Sequence, residues 1–250
     1  MSLFKALLAS SAIFSAVSAH PGHLGKRAEP FGQVITSCTV PTTVALTFDD
    51  GPHTYTEELL DKLKVAGFRA TFFVNGNNYG KIEDHASTLK RMITEKHQVG
   101  SHTWSHADLG ASDATTVGLQ MTQLETSFMN ILGYMPYYMR PPFLSTSAIA
   151  LDVLAQLKYV VMNVDIDTLD WANLSPDTVH YGFSNYTAAF NNNGRISLSH
   201  DPLIDTVQTL VPQIITFLQG KGMKCMNLAY DMLRIISLTI CSGYCGRMPW

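Results

Sequence analysis

Charge is scarce in this chain, and none of it is gathered into a basic surface. Of 250 residues, 15% are Asp, Glu, Lys or Arg, and 17 basic residues stand against 20 acidic ones. No run of Lys or Arg is present to displace counterions from a phosphate backbone, so no nucleic-acid partner is expected. Long apolar runs are missing as well. No segment after the N-terminus reaches the roughly 18 uninterrupted apolar residues of a transmembrane helix. Internal repeats, heptads and collagen-like periods are absent, which excludes coiled-coil and fibrous classes. What is plentiful is apolar: 46% of the residues are hydrophobic, enough for one large core in a single globular domain, expected to be a monomer.

The first residues read as an export signal. Lys5 precedes Ala6-Leu7-Leu8-Ala9 and Ala12-Ile13-Phe14, and the stretch closes on Val17-Ser18-Ala19, the pattern of a cleaved secretory signal over residues 1–19. Lys26-Arg27 resembles a dibasic processing site, which makes residues 20–27 a propeptide. Removal of residues 1–27 takes away Lys5, Lys26 and Arg27 and no acid, so a formal charge of −3 becomes −6. The expected location is secreted, extracellular or in the cell wall. Four cysteines, Cys38, Cys225, Cys241 and Cys245, are an even count in an exported chain and point to disulfides, with three connectivities open. Zinc ligation by these four is disfavoured because no close C-x2-C pair exists. Asn185-Tyr186-Thr187 and Asn173-Leu174-Ser175 are glycosylation sequons, the second weakened by Pro176.

Through the body of the chain, β-branched and apolar runs alternate with stretches of helical period. Strands are expected over 43–49, 70–75, 98–102, 137–140, 159–165, 195–200 and 223–228. Helices are expected over 57–66, 85–96, 114–132, 147–157, 178–191 and 206–220. Such βα alternation argues for a parallel α/β barrel or sheet. The stretch after Leu228 has neither helical period nor a strand partner, which sets residues 231–250 apart as an atypical tail.

Polar residues break the apolar pattern where strands end. Thr47-Phe48-Asp49-Asp50-Gly51-Pro52 sets two adjacent carboxylates after the first strand, with Gly-Pro forcing the turn. Alone this is an ordinary hydrophilic turn. His102-Thr103-Trp104-Ser105-His106 follows the third strand, and two imidazoles four residues apart converge on one cation if the chain turns helically. Arg140-Pro141-Pro142-Phe143, Asp167-Thr168-Leu169-Asp170-Trp171 and Leu198-Ser199-His200-Asp201 end the next strands. Each is open to a bland reading as an ion pair or surface loop. Five of them at one end of a barrel mark the face where barrel active sites collect.

In order, these five stretches resemble the motifs of polysaccharide deacetylases of the NodB-homology type, carbohydrate esterase family 4: T-F-D-D-G-P, H-[ST]-x-x-H, R-x-P-[YF], D-x-x-D-W and L-x-H. The likeness spans a domain over residues 38–230. With the export signal and the segment Gly67 to Gly76, the chain is most similar to secreted fungal chitin deacetylases. The resemblance implies a deformed (β/α)7 barrel with its active site at the C-terminal ends of the strands. It also implies one divalent metal ion, Zn2+ or Co2+, on Asp50, His102 and His106. Asp49 resembles the catalytic base, His200 the catalytic acid, Arg140 the residue that holds the base, and Asp170 the acid that orients the network. Trp171 and Leu198 resemble walls of the acetyl pocket, and the backbone N–H near Phe143 the oxyanion donor. The resemblance further suggests that Cys38 pairs with a late cysteine, here Cys225, although Cys225 lies inside the last strand while Asp231 stands nearer the family's usual position.

The implied reaction is N-deacetylation of chitin or chitooligosaccharides, releasing acetate and leaving glucosamine units. An acetylxylan esterase or a peptidoglycan N-acetylglucosamine deacetylase would use the same residues. A glycoside hydrolase would pair Asp49 or Asp50 with Asp167 or Asp170, and a non-catalytic chitin-binding protein would need neither acid nor base. The former leaves the two histidines and Arg140 without a task, and the latter leaves Asp49 and His200 without one.

Overall fold

The segment Thr43-Val-Ala-Leu-Thr-Phe-Asp carries no alternation of polar and apolar residues, the mark of a parallel strand covered on both faces. In the computed structural model it is strand β2 (Thr43–Asp49), buried at every position. Residues 30–37, 40 and 42–228 are described. The expected export signal and propeptide, Cys38 and the expected atypical tail with Cys241 and Cys245 lie outside them. Among the described residues Cys225 is a buried cysteine without a described disulfide partner, and the expected Cys38–Cys225 bridge lies outside them because Cys38 does. No described helix is long and apolar enough to cross a membrane.

The chain runs β1 (Val34–Ile35), β2, α1 (Thr56–Ala66), β3 (Ala70–Val74), α2 (Ala86–Thr94), β4 (Gln98–Ser101), α3 (Ala114–Leu132), β5 (Tyr138–Met139) and α4 (Ala148–Gln156). It continues through β6 (Val160–Met162), β7 (Ile166–Asp167), α5 (Val179–Asn191), β8 (Ile196–His200), α6 (Val211–Gly220) and β9 (Lys224–Cys225). The strands pair in parallel in the order β1-β6-β5-β4-β3-β2-β8-β7, with β9 beside the start of β2. Apart from β1, the strands at the two ends of that order are β6 and β7, yet only residues 163–165 separate them in the chain. The sheet must therefore curl to bring its ends together, which gives the deformed barrel that the resemblance implies. The expected strand 159–165 is realised only over β6 (Val160–Met162), and neither β7 (Ile166–Asp167) just beyond it nor β1 was foreseen.

Side-chain alternation directs the strand residues to two faces of the sheet, where they join separate hydrophobic clusters. Phe72 and Val74 of β3 join the larger one beneath the helices, with Leu59, Leu60 and Leu63 of α1. Phe73 points the other way and meets Ala45, Val160, Met162, Ile196 and Leu228 inside the barrel. The helices end where their sequences dictate. Gly67 stops α1 in the left-handed region at φ 69°, donating its N–H to the carbonyls of Leu63 and Lys64. The expected helix 206–220 begins instead with a wider π turn over Thr206–Leu210. Pro212 has no N–H to give and its ring collides with the carbonyl four residues earlier, so the ladder loosens just before it. The Asn185 sequon lies on α5, where the side-chain amide donates to the Thr168 carbonyl at 3.1 Å.

Helix α3 starts at Asp113, whose Oδ1 accepts the Thr116 N–H at 2.8 Å. Asp113→Ala is expected to lower unfolding free energy by about 1 kcal/mol through loss of this cap. Urea denaturation of the two proteins at neutral pH measures it, and an unchanged midpoint refutes the cap's contribution.

Candidate active site

The five polar clusters meet at the C-terminal ends of the strands. Asp49 closes β2 and is register partner to His200, which closes β8. Parallel pairing thus sets a carboxylate and an imidazole side by side on one rim. Asp50 follows with φ 74°, a left-handed residue that turns its carboxylate away from that of Asp49. Gly51 permits this turn because a side chain on it would overlap the Asp201 carboxyl.

Asp50 Oδ1 lies 3.5 Å from His102 Nε2 and 3.2 Å from His106 Nε2. One ligand atom from each of these residues falls within 4.8 Å of the others, the one such group among the described residues. His102 Nδ1 lies 2.7 Å from the Arg140 carbonyl, so that nitrogen carries the proton and Nε2 presents its lone pair. Burial outweighs the nearby Asp50 and pulls the His102 pKa down to about 3. The ring is therefore neutral at neutral pH, as a metal ligand must be. The helical turn expected for residues 102–106 is not there. Left-handed residues, Thr103 at φ 71° and His106 at φ 58°, bring the imidazoles to a centroid separation of 5.1 Å. A carboxylate oxygen and two neutral imidazole nitrogens form a donor set suited to a divalent transition metal.

Arg140 follows β5 with no exposed surface. Its Nη1 donates to Asp49 Oδ1 at 2.8 Å and to Thr47 Oγ1 at 2.5 Å, and the guanidinium carbon stands 4.4 Å from the centre of the Phe73 ring. Burial raises the Asp49 pKa above the ordinary carboxylate value, against the opposing pull of Arg140 and His200.

Asp170 sits on a short 3-10 turn (Asp170–Ala172) and accepts four hydrogen bonds. They come from His200 Nδ1 at 2.8 Å, the His200 N–H at 2.7 Å, the Thr206 hydroxyl at 2.7 Å and the Trp171 N–H at 2.9 Å. Burial alone would lower the His200 pKa. The Asp170 carboxylate, helped by Asp49 and Asp50, overrides it and lifts the value to about 9. Leu198 shares the inward side of β8 with His200, one pleat below it. Trp171 is 52% exposed and Phe143 68% exposed, and the Phe143 ring stands edge-on to His106 at 4.7 Å. All ten predicted site residues thus fall at this rim or in the strands just beneath it.

Sequence reasoning passed over Asp201. It is fully buried, accepts a hydrogen bond from Thr56 Oγ1, and burial pushes its pKa up to about 7. An acid directly after His200 was its one visible signal. The carboxylate pairing of a glycoside hydrolase finds no support, because Asp170 is spent on His200 and Thr206, and Asp167 Oδ1 accepts the Leu169 N–H at 2.8 Å.

An α/β barrel whose rim joins a buried carboxylate, a carboxylate-backed imidazole and a three-residue metal-type donor set is the scaffold of a hydrolase. The chain belongs to the polysaccharide deacetylase family, whose profile matches residues 36–162. It is 49% identical over 221 residues to a chitin deacetylase of Pestalotiopsis sp, covering 88% of this chain and 72% of that one. A chitin deacetylase of Colletotrichum lindemuthianum is 40% identical over 225 residues, covering 88% and 90%. The solved structure of the chitin deacetylase from that fungus superposes with a TM-score of 0.76 over 81% of this chain and 92% of the other. A probable peptidoglycan-N-acetylglucosamine deacetylase of Arthroderma benhamiae is 42% identical over 199 residues, 79% of this chain but 46% of its own length.

Asp170→Asn removes the strongest influence that raises the His200 pKa and leaves burial, which lowers it. The imidazole is then expected to lose its proton at a lower pH than the value of about 9 in the parent. An NMR titration of the His200 ring protons measures the shift, and an unmoved or higher midpoint contradicts this electrostatic account.

Proposed function

We propose that this protein is a secreted, divalent-metal-dependent deacetylase that hydrolyses the N-acetyl groups of chitin or chitooligosaccharides to acetate and glucosamine units. The observation that carries the reading is the Asp49–His200 register pair beside the Asp50, His102 and His106 set. Amide hydrolysis needs a group that accepts a proton from water and another that gives one to the departing nitrogen. The likeness to two chitin deacetylases over most of both chains supports chitin as the substrate.

Asp50, His102 and His106 would hold Zn2+ or Co2+. A cation there would polarise the acetamide carbonyl and lower the pKa of a water. Asp49 is the base. Arg140 occupies its Oδ1, which leaves Oδ2 to receive the proton, 3.9 Å from His102 Nε2. The Phe143 backbone N–H would donate to the oxyanion as the carbonyl carbon becomes tetrahedral. His200 is the acid: Asp170 fixes Nδ1, so Nε2 presents the proton to the amine nitrogen as the C–N bond breaks. A pKa near 9 keeps that proton in place at neutral pH. Leu198 and Trp171 wall the acetyl methyl, Leu198 from below and the exposed Trp171 indole from the rim.

Acetate release from chitooligosaccharides, with peptidoglycan and acetylxylan as comparison substrates and a chelator as control, tests the reading. Release from chitooligosaccharides that a chelator abolishes and Zn2+ restores is expected; activity surviving complete metal removal, or confined to either comparison substrate, sinks it. Within that assay Asp49→Asn should retain metal and lose on the order of 10² to 10⁴ in kcat, the usual range for a general base. Unchanged turnover would reduce Asp49 to a turn residue.

His200→Ala separates acid catalysis from mere packing. An amine must be protonated to leave, whereas an activated aryl acetate releases a phenolate that needs no proton. The variant should cleave the acetamide about 10²-fold more slowly or worse, with a much smaller loss on the aryl ester. Equal losses on both substrates, measured on the folded and metal-loaded variant, would show that His200 only supports the structure.

A further inference from the structure

Strand β3 ends at Val74, and the next four residues, Asn75-Gly76-Asn77-Asn78, lie between the Asp50 turn and the His102–His106 loop. On the first side, the Asn75 N–H donates to the Gly51 carbonyl at 3.0 Å and Asn78 Nδ2 to Asp50 Oδ1 at 3.2 Å. On the second, Asn75 Nδ2 donates to the carbonyls of both His102 and Thr103. The N–H groups of Gly76 and Asn77 reach the Thr103 and Trp104 carbonyls at 3.4 and 2.7 Å. The amides join where Asn78 Nδ2 donates to Asn75 Oδ1 at 3.1 Å. A primary amide has two N–H donors, and each of these two side chains spends both on this bridge.

We propose that Asn75 and Asn78 are positioning residues for the metal ligands, a clamp that fixes the Asp50 carboxylate relative to His102 and His106. The inference rests on the metal-site reading above. The oxygen that Asn78 holds is the one facing both imidazoles. A ligand carboxylate that is not held outside the coordination sphere rotates, and loss of such support commonly weakens metal binding 10- to 100-fold. Asn75 acts on the other partner. Thr103 is left-handed at φ 71°, unfavourable for a β-branched residue, and its carbonyl is gripped by Asn75 and by the Gly76 N–H. Released from that grip, the turn relaxes and His106 is no longer directed at His102. Gly76 serves the same contact, because the Trp104 ring covers it where a side chain would stand.

Competition with a chromophoric chelator gives the Zn2+ dissociation constant of the full chain and of Asn78→Ala, Asn75→Ala and Asp50→Ala. Asn78 is exposed, so Asn78→Ala should weaken Zn2+ binding about 10-fold while leaving the thermal midpoint of the metal-free protein unchanged. Asn75→Ala should weaken it by about 10- to 100-fold, and Asp50→Ala should abolish it. Parent-like affinity in both asparagine variants, with binding lost in Asp50→Ala, overturns the clamp and leaves the metal site standing. Parent-like affinity in Asp50→Ala overturns the metal site itself. Asn75 is buried; if Asn75→Ala fails to fold, Asn78→Ala decides alone. A fall in the Asn78→Ala metal-free midpoint with unchanged affinity shows a structural role and refutes the proposal.

Discussion

The Arg140–Asp49 ion pair forms at 2.8 Å with both side chains almost wholly withdrawn from water. Withdrawing either charge alone carries a penalty of several kcal/mol, which is recovered only when the partner and its hydrogen bonds are in place. Each therefore holds the other inside the barrel, and the Phe73 ring under the guanidinium adds a cation–π contact to the arrangement. The residue does more with its backbone. Its N–H donates to the Ser101 carbonyl, joining β5 to β4, and its carbonyl sets the tautomer of His102. One buried residue thus pairs with the Asp49 carboxylate and decides which nitrogen of His102 is left open.

Around that pair the backbone is bent against its preference. Asp50, Thr103, His106, Phe143 and Leu169 all have positive φ and none is glycine. Such conformations cost roughly 1–3 kcal/mol each and persist where surrounding contacts over-determine them. The contacts here are specific: the Asp201 carboxyl seated against Gly51, the Asn75 amide on the Thr103 carbonyl, and the Asp167 carboxylate accepting the Leu169 N–H. The layered core beneath supplies the stability that lets the rim remain bent.

The regular parts of this architecture were legible in the sequence. Thr43–Asp49 and Ala114–Leu132 match their expected limits, because one is an unbroken buried run and the other a long amphipathic period with an acidic cap and a terminal glycine. The residues proposed as metal ligands and proton-transfer groups stood out in the sequence because they lie at strand ends, where they interrupt apolar runs. Other features were not. The break between β6 and β7 depends on how the sheet curls, and local pattern does not carry that. The turn of His102–His106 escaped because spacing alone offers the helix as the simplest way to bring two imidazoles together, while the left-handed route is held by tertiary contacts. Asp201, Asn75 and Asn78 escaped for a related reason: their partners lie far along the chain, and single polar residues beside a strand look like ordinary loop chemistry.

Three titratable groups in one small site are driven to different states by their surroundings. His102 is buried with only a carbonyl on its second nitrogen, and it stays neutral. His200 is partly buried, but its second nitrogen meets a carboxylate, and it stays charged to about pH 9. Two imidazoles of the same intrinsic basicity thus come to suit opposite tasks, one offering a lone pair and the other a proton. Asp49 completes the set, since burial raises its pKa above the ordinary carboxylate value against the opposing pull of Arg140 and His200. A base that is too acidic would not take a proton, and one that is too basic would be protonated before the reaction began. For Asp49 the balance lies between desolvation and the neighbouring charges of Arg140 and His200, which is why the depth of the barrel rim, and not only the identity of its residues, sets the basicity of this carboxylate.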